Sequence, residues 1–215
     1  MILWLTLILN SSFLIPNSML IYGAGGHAKV IISILRANGQ EISCIYDDDV
    51  AKQTVSGLAV KGIYEVSAFP DKKMIIAIGN NRIRRKIAGL IHHPFGTVIH
   101  PSAIVDQSVK VGVGTCLMHR AVIQADSTIG NHVIINTSAS VDHDCFIGNF
   151  VHLAPGVILA GNVKIGENCL IGIGSIVAPG LTIGKNCFVA AGSVITKNIP
   201  DGSTVRGNPA RILTL

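Results

Sequence analysis

A parallel α/β unit followed by a long three-sided parallel β-coil is the fold class that the sequence predicts, and three observations predict it. Every sixth residue from Ile99 to Ile195 is Ile, Val or Leu. Glycine follows that hexad residue at Gly112, Gly130, Gly148, Gly166 and Gly184, at intervals of eighteen. Upstream, the apolar run Met19-Leu20-Ile21-Tyr22 leads into the glycine turn Gly23-Ala24-Gly25-Gly26-His27-Ala28 and then into helical apolar spacing.

Composition bounds the alternatives. Of 215 residues, 49% are hydrophobic and 13% charged, which excludes a disordered chain. No run reaches the roughly 18 uninterrupted apolar residues of a spanning helix, so no stable membrane anchor is expected. The net charge of +5 is concentrated in residues 19–98. It suits an anionic ligand; without a basic stripe interleaved with aromatics, nucleic acid is not an expected partner. Cys44, Cys116, Cys145, Cys169 and Cys187 form no CxxC pair, and their odd number excludes a complete disulfide framework. Free thiols fit a reducing, cytoplasmic setting. Residues 1–18 lack a basic start and a clear cleavage site, and read as a non-native or poorly ordered extension.

The first domain, residues 19–98, reads as a βαβ unit. Strand Met19–Tyr22 precedes the turn, a helix runs from Lys29 to Asn38 with Gly39 as its C-cap, and a second strand, Ile42–Tyr46, ends in Asp47-Asp48-Asp49. A further strand, Met74–Ile78, leads through Gly79-Asn80-Asn81 into a basic helix from Arg82 to about Leu90. The turn matches the Rossmann-like pattern GxGxxG/A, in which Gly23, Gly25 and Gly26 let backbone N–H groups approach a pyrophosphate at a helix N-terminus. Asp47 and Asp48 stand where ribose hydroxyls or base edges are taken. Eighty residues with no hydride-transfer domain after them argue against NAD and for a nucleoside diphosphate joined to another group.

The second domain, residues 99–215, keeps a six-residue beat. Two places before each hexad residue stand small or β-branched side chains such as Ala121, Ser127, Val133 and Cys145, so both positions point inward from short strands. Eighteen is three sixes, which makes a triangular prism of five to six coils, and the glycine at one corner is expected to supply backbone freedom. Cys145, Cys169 and Cys187 fall in the inward slot and read as small buried hydrophobes. His119 and His132 carry no motif and read as surface residues.

An aliphatic–Gly–x–x–x–x repeat of this length resembles the hexapeptide-repeat acyltransferases, and the ending Val205-Arg206-Gly207-Asn208-Pro209-Ala210 is similar to the segment that closes their domains. The resemblance implies a left-handed parallel β-helix, a trimer and acetyl-CoA as co-substrate; the hand runs against the usual crossover preference and does not come from the period. A glycine-turn domain joined to such a coil resembles the bacterial nucleotide-sugar acetyltransferases of surface-glycan synthesis. These include N-acetyltransferases of UDP-linked amino sugars such as UDP-N-acetylbacillosamine, with sialic-acid O-acetyltransferases as relatives. The match spans Met19 to Ile212 and rests on Gly23-Ala24-Gly25-Gly26-His27, Asp47-Asp48, Ala77-Ile78-Gly79-Asn80-Asn81 and, most distinctively, Asn136-Thr137-Ser138-Ala139-Ser140-Val141-Asp142-His143-Asp144-Cys145.

The resemblance implies that His143 is the general base for the sugar amine and Asp144 its orienting carboxylate, with Asp142 in reserve. Apolar neighbours in sequence lead us to expect a low pKa for His143. Gly23, Gly25, Gly26, His27, Asp47, Asp48, Gly79, Asn80 and Asn81 are the implied nucleotide-sugar contacts. Asn136, His152 and the Gly161 N–H are implied on the acetyl-CoA side, the last holding the thioester oxygen. A prism with apolar flat faces packs against copies of itself, so a homotrimer with clefts between subunits is expected. Zinc-dependent carbonic anhydrase chemistry needs three His ligands, and no His-x4-His occurs; no metal is expected. An O-acetyltransferase or a non-catalytic nucleotide-sugar sensor are the remaining alternatives.

Overall fold

The computed structural model describes residues 18–213. Apart from Ser18, the extension expected at 1–18 lies outside the described residues.

Strand β1 (Met19–Tyr22) is fully buried and runs between β2 (Ile42–Tyr46) and, beyond the short hairpin of β3 (Thr54–Val55) and β4 (Leu58–Ala59), β5 (Lys73–Ile76). All three sheet strands are parallel, with Tyr22 level with Tyr46 and Ile76. Their carboxyl ends therefore open on one edge, where ligands bind in sheets of this kind. Helix α1 (Gly26–Ala37) buries Ala28, Ile31, Ile32, Ile34 and Leu35 on the sheet and starts earlier than the apolar spacing suggests. Helix α2 (Asn81–Ala88) is capped by Asn80, whose Oδ1 accepts the Ile83 N–H at 3.0 Å.

The rest of the chain is a left-handed parallel β-helix. Its first face stacks Val98–Ile99, Cys116–Leu117, Ile134–Ile135, His152–Leu153, Leu170–Ile171 and Phe188–Val189, closed by Thr204–Gly207 and the antiparallel Ala210–Ile212. The second face runs from Ile104–Val105 to Val194–Ile195 and the third from Lys110–Val111 to Thr182–Ile183. Neighbouring strands pair parallel with the eighteen-residue offset.

The hexad residues are buried from Leu117 onward, but Ile99 is 37% exposed, because no coil lies above the first. Cys145, Cys169 and Cys187 occupy the inward slot as expected, and Cys145 and Cys169 donate from Sγ to the carbonyls of Ala160 and Gly184 in the next coil. The corner glycines correct the sequence reading. The left-handed φ falls two residues later, at positions such as Arg120, His132, Ser138, Asp144 and Phe150. Gly148 and its equivalents are needed because the next coil passes too close: a β-carbon on Gly148 would stand 2.7 Å from the Glu167 nitrogen.

The two domains share one core. Met19, Ile21, Ile31 and Ile75 pack with Val98, Cys116, Met118 and Ile134 of the first face. Among the described residues no helix is long and apolar enough to cross a membrane.

Candidate active site

A cleft of about 500 Å³ opens at the carboxyl ends of β1, β2 and β5. Gly23 adopts φ +109°, and a β-carbon there would stand 2.9 Å from the Ala77 carbonyl oxygen. Gly25 precedes α1, which no side chain caps. A β-carbon on Gly25 or Gly26 would meet nothing within 4 Å. Those two glycines keep the cleft floor clear, so the positive end of α1 faces open space.

Asp47 works inward. Its Oδ2 accepts the Ala24 N–H at 2.7 Å, its Oδ1 accepts the Asp49 N–H at 2.9 Å, and Lys52 Nζ reaches both oxygens. Burial acts to raise its pKa, but the amides of Asp49 and Ala24 and the Lys52 ammonium outweigh it and hold the carboxyl below its usual range. Asp48 takes the Tyr22 hydroxyl on Oδ1 at 2.6 Å. Burial and this bond push the Tyr22 pKa above its ordinary value. Asp47 thus braces the glycine turn, and both Asp47 and Asp48 line the cleft.

The Gly79-Asn80-Asn81 turn is committed in the same way. Asn80 caps α2, and Asn81 donates from Nδ2 to the Cys169 carbonyl and accepts Arg84 on Oδ1. Asn81 joins the domains, and Gly79 is the member of the trio that borders the cleft.

The carbonyl of Gly79 accepts His152 Nδ1–H at 3.1 Å. His152 Nε2 pairs with Asn136 Nδ2 at 3.0 Å. The His27 ring lies 6.3 Å from that of His152, and its Nε2 is enclosed without a partner. Burial first, and then His152 and Arg84, lowers the pKa of His27 to about 4; burial and Arg84 do the same to His152. Both rings are neutral at pH 7.

His143 stands elsewhere. It occupies the corner between the second and third faces, the prism edge opposite the first face on which His152 sits. Its Nδ1 is 2.7 Å from Asp144 Oδ2, and Asp142 Oδ1 accepts its backbone N–H. Its side chain is 60% exposed, so the apolar shelter expected from sequence is missing. The Asp144 hydrogen bond, with Asp142 behind it, raises its pKa rather than lowering it. Gly161 lies directly against the ring.

Sequence reasoning missed two buried groups. His132 is 6% exposed, stacked on Phe150 at 4.8 Å and edge-on to Phe95, not on the surface. Arg84 is 1% exposed. Its three-residue spacing from Ile87 puts it on the buried stripe of α2, a signal that the surrounding basic residues masked. Among the described residues, no group of three or more His, Cys, Asp or Glu side chains is placed to hold a metal ion.

Known proteins share this fold. The PglD N-terminal domain family matches residues 18–91, and the bacterial transferase hexapeptide (six repeats) family matches residues 162–197. The acetyltransferase domain of PglB from Neisseria gonorrhoeae FA1090 is 41% identical, with a TM-score of 0.86 over 92% of this chain and 100% of that one. PerB from Caulobacter crescentus, solved in complex with CoA and GDP-perosamine, is 41% identical, with a TM-score of 0.85 over 92% and 97%. The UDP-N-acetylbacillosamine N-acetyltransferase of Bacillus subtilis (strain 168) is 40% identical over 112 residues, 47% of this chain. The matched stretch spans 51% of that curated relative's length.

Proposed function

The chain belongs to the hexapeptide-repeat acetyltransferases that carry a PglD-type N-terminal domain, and we propose that it transfers an acetyl group from acetyl-CoA to the amine of a nucleotide-linked amino-deoxy sugar. The observation that carries this reading is the His143–Asp144 pair at 2.7 Å, with one ring nitrogen tied to the carboxylate and Nε2 left for a substrate proton.

The neutral amine attacks the thioester carbonyl, and the N–C bond forms as the C–S bond breaks. His143 Nε2 takes the amine proton and returns it to the departing CoA thiolate. Asp144 holds the tautomer and steadies the imidazolium. The Gly161 N–H donates to the carbonyl oxygen as it gains charge. Asn136 and His152 border the acetyl-CoA side, and the glycine turn with Asp48 receives the nucleotide.

The working unit in this reading is a homotrimer. A prism corner cannot reach a cleft across its own body, so His143 serves the cleft of a neighbouring copy. The second face supports this: Ile104, Ile158 and Ile176 are 66%, 46% and 42% exposed and, with Val122 and Val194, form an apolar ladder that a copy would cover. UDP is the proposed nucleotide, after the named substrate of the Bacillus relative; GDP-perosamine in PerB makes GDP the competitor to exclude. The setting is cytoplasmic synthesis of surface glycan or glycoprotein.

Thiol release with UDP-, GDP- and CMP-linked sugars, each with and without a free amine, tests the reading. Turnover with UDP-amino sugars alone supports it. Turnover on hydroxyl-only sugars would make the chain an O-acetyltransferase, and binding without turnover a sensor. His143→Ala should abolish release while leaving the trimer and sugar binding intact.

A further inference from the structure

Arg84 is a full charge in a dry place. At 1% exposure it has all five N–H groups engaged, yet among the described residues no carboxylate pairs with it. Nε donates to the His132 carbonyl at 2.9 Å, one terminal nitrogen to the carbonyls of Ile78 and Gly79 at 3.1 Å each, and the other to Asn81 Oδ1 at 2.9 Å and the Phe150 carbonyl at 3.0 Å. Burial lowers its pKa only to about 10, so it stays charged at pH 7. Burying an arginine is costly, and an apolar contact between the domains would hold them together without it. Only a planar fork reaches acceptors in three directions at once.

Those acceptors belong to three different pieces: the turn leaving β5, the first turn of α2, and the corners of two successive coils. The Gly79 carbonyl is the junction, because it also accepts from His152 Nδ1. A carbonyl only accepts, so Nδ1 must carry the hydrogen and Nε2 the lone pair. That lone pair accepts from Asn136 Nδ2, while Asn136 Oδ1 takes the Thr137 N–H at 2.8 Å. The amide orientation is therefore set from both sides, and among the described residues only one of the two Nδ2–H groups is used.

We propose that Arg84 is a positioning residue for acetyl transfer: by pinning the Gly79 carbonyl it fixes the Nδ1–H tautomer of His152 and thereby the orientation of the Asn136 amide and its second N–H. The consequence for turnover rests on the acetyltransferase reading; the tautomer does not. The groups facing His152 are the His27 ring, the Arg84 guanidinium, the Gly79 carbonyl and the Asn136 amide, and none of them is a base that would hold the alternative tautomer.

The first test needs no turnover. Side-chain nitrogen NMR of the ¹⁵N-histidine-labelled protein, without substrate, should show one ring locked as the Nδ1–H form between pH 5.5 and 8.5, assigned by its loss in His152→Gln. An Nε2–H form, or a ring that titrates in that range, would overturn the proposal even if the protein proves to be an acetyltransferase. The second test is Arg84→Lys, whose three donors can meet at most three of the five acceptors. In folded, assembled protein the His152 signal should shift to a mixture. With UDP-amino sugar and acetyl-CoA, kcat should fall at least about tenfold while the KM for the sugar stays within about threefold. An unchanged tautomer with unchanged kcat in that folded variant would also overturn it. If the locked tautomer is found but no sugar is ever acetylated, the functional reading fails and the hydrogen-bond relay stands.

Discussion

The imidazole of His143 rests on the bare Cα of Gly161: a β-carbon built there would stand 2.6 Å from Nε2 and 2.7 Å from Cε1. The glycine is not in the left-handed region, so alanine would strain no backbone; its methyl group would displace the ring. Gly161→Ala should lower kcat by roughly 10- to 100-fold, since a shift of about 1 Å in a catalytic group has effects of that order. The ring is largely exposed, so the melting temperature should move little. Steady-state turnover and thermal unfolding check the pair of outcomes, and undiminished kcat would remove His143 from the chemistry.

The raised pKa of His143 sets a direction for the pH profile. Protonated imidazole cannot take a proton, so kcat/KM should rise with pH through a midpoint above 6.5. Asp144→Asn removes the hydrogen-bonded carboxylate that contributes most to that rise. Its acid limb should move to lower pH while its plateau drops, because the tautomer and orientation are lost with the charge. An acid limb unchanged in Asp144→Asn would assign it to a different group.

His132 predicts acid sensitivity of the fold. Burial and then Arg84 hold its pKa down to about 4 in the folded state, against 6.5 for a free ring. Below pH 6.5 the unfolded chain binds a proton that the folded chain refuses, so stability falls as pH falls toward about 4. The full effect is roughly 3 kcal/mol. His132→Phe keeps the stack between Phe95 and Phe150 and discards a ring whose Nδ1 has no partner. It should lessen the decline in melting temperature between pH 7 and 4.5, leaving the share carried by His27 and His152, as scanning calorimetry over that range would show.

Two corner glycines should respond in opposite ways. Gly148→Ala places a methyl group against the Glu167 backbone and should cost about 2 kcal/mol or more, by analogy with other overpacked sites. Gly156 has φ +68° and nothing within 4 Å, at a corner position where Asn162 and Asn168 adopt the same conformation. Gly156→Asn should change stability by less than about 1 kcal/mol. Chemical denaturation of both variants distinguishes stacking from backbone freedom as the reason for glycine.

The helix-coil of the second domain was legible because a repeat of six imposes one environment on every sixth side chain, and burial then selects the same residue types again and again. The first domain was legible for a similar local reason: Met19–Tyr22 is buried on both faces, and Gly23 must take a conformation that costs other residues. Chemistry-bearing types were legible too, in the sense that His143 and Asp144 are adjacent in the chain and adjacent in space.

What the linear order left open concerns groups whose partners are distant. Asp47 borders the cleft, but the sequence did not show that its oxygens also accept from Ala24, Asp49 and Lys52. Asn81 reaches Cys169, 88 positions away, and Arg84 reaches Phe150, 66 positions away. The expected low pKa of His143 failed because exposure depends on which prism corner a residue occupies, not on its apolar neighbours in the chain. Local pattern determines strands, turns and the inward beat, since those depend on nearest neighbours. Desolvation and long-range hydrogen bonds depend on where the two domains meet, and only the folded chain decides that.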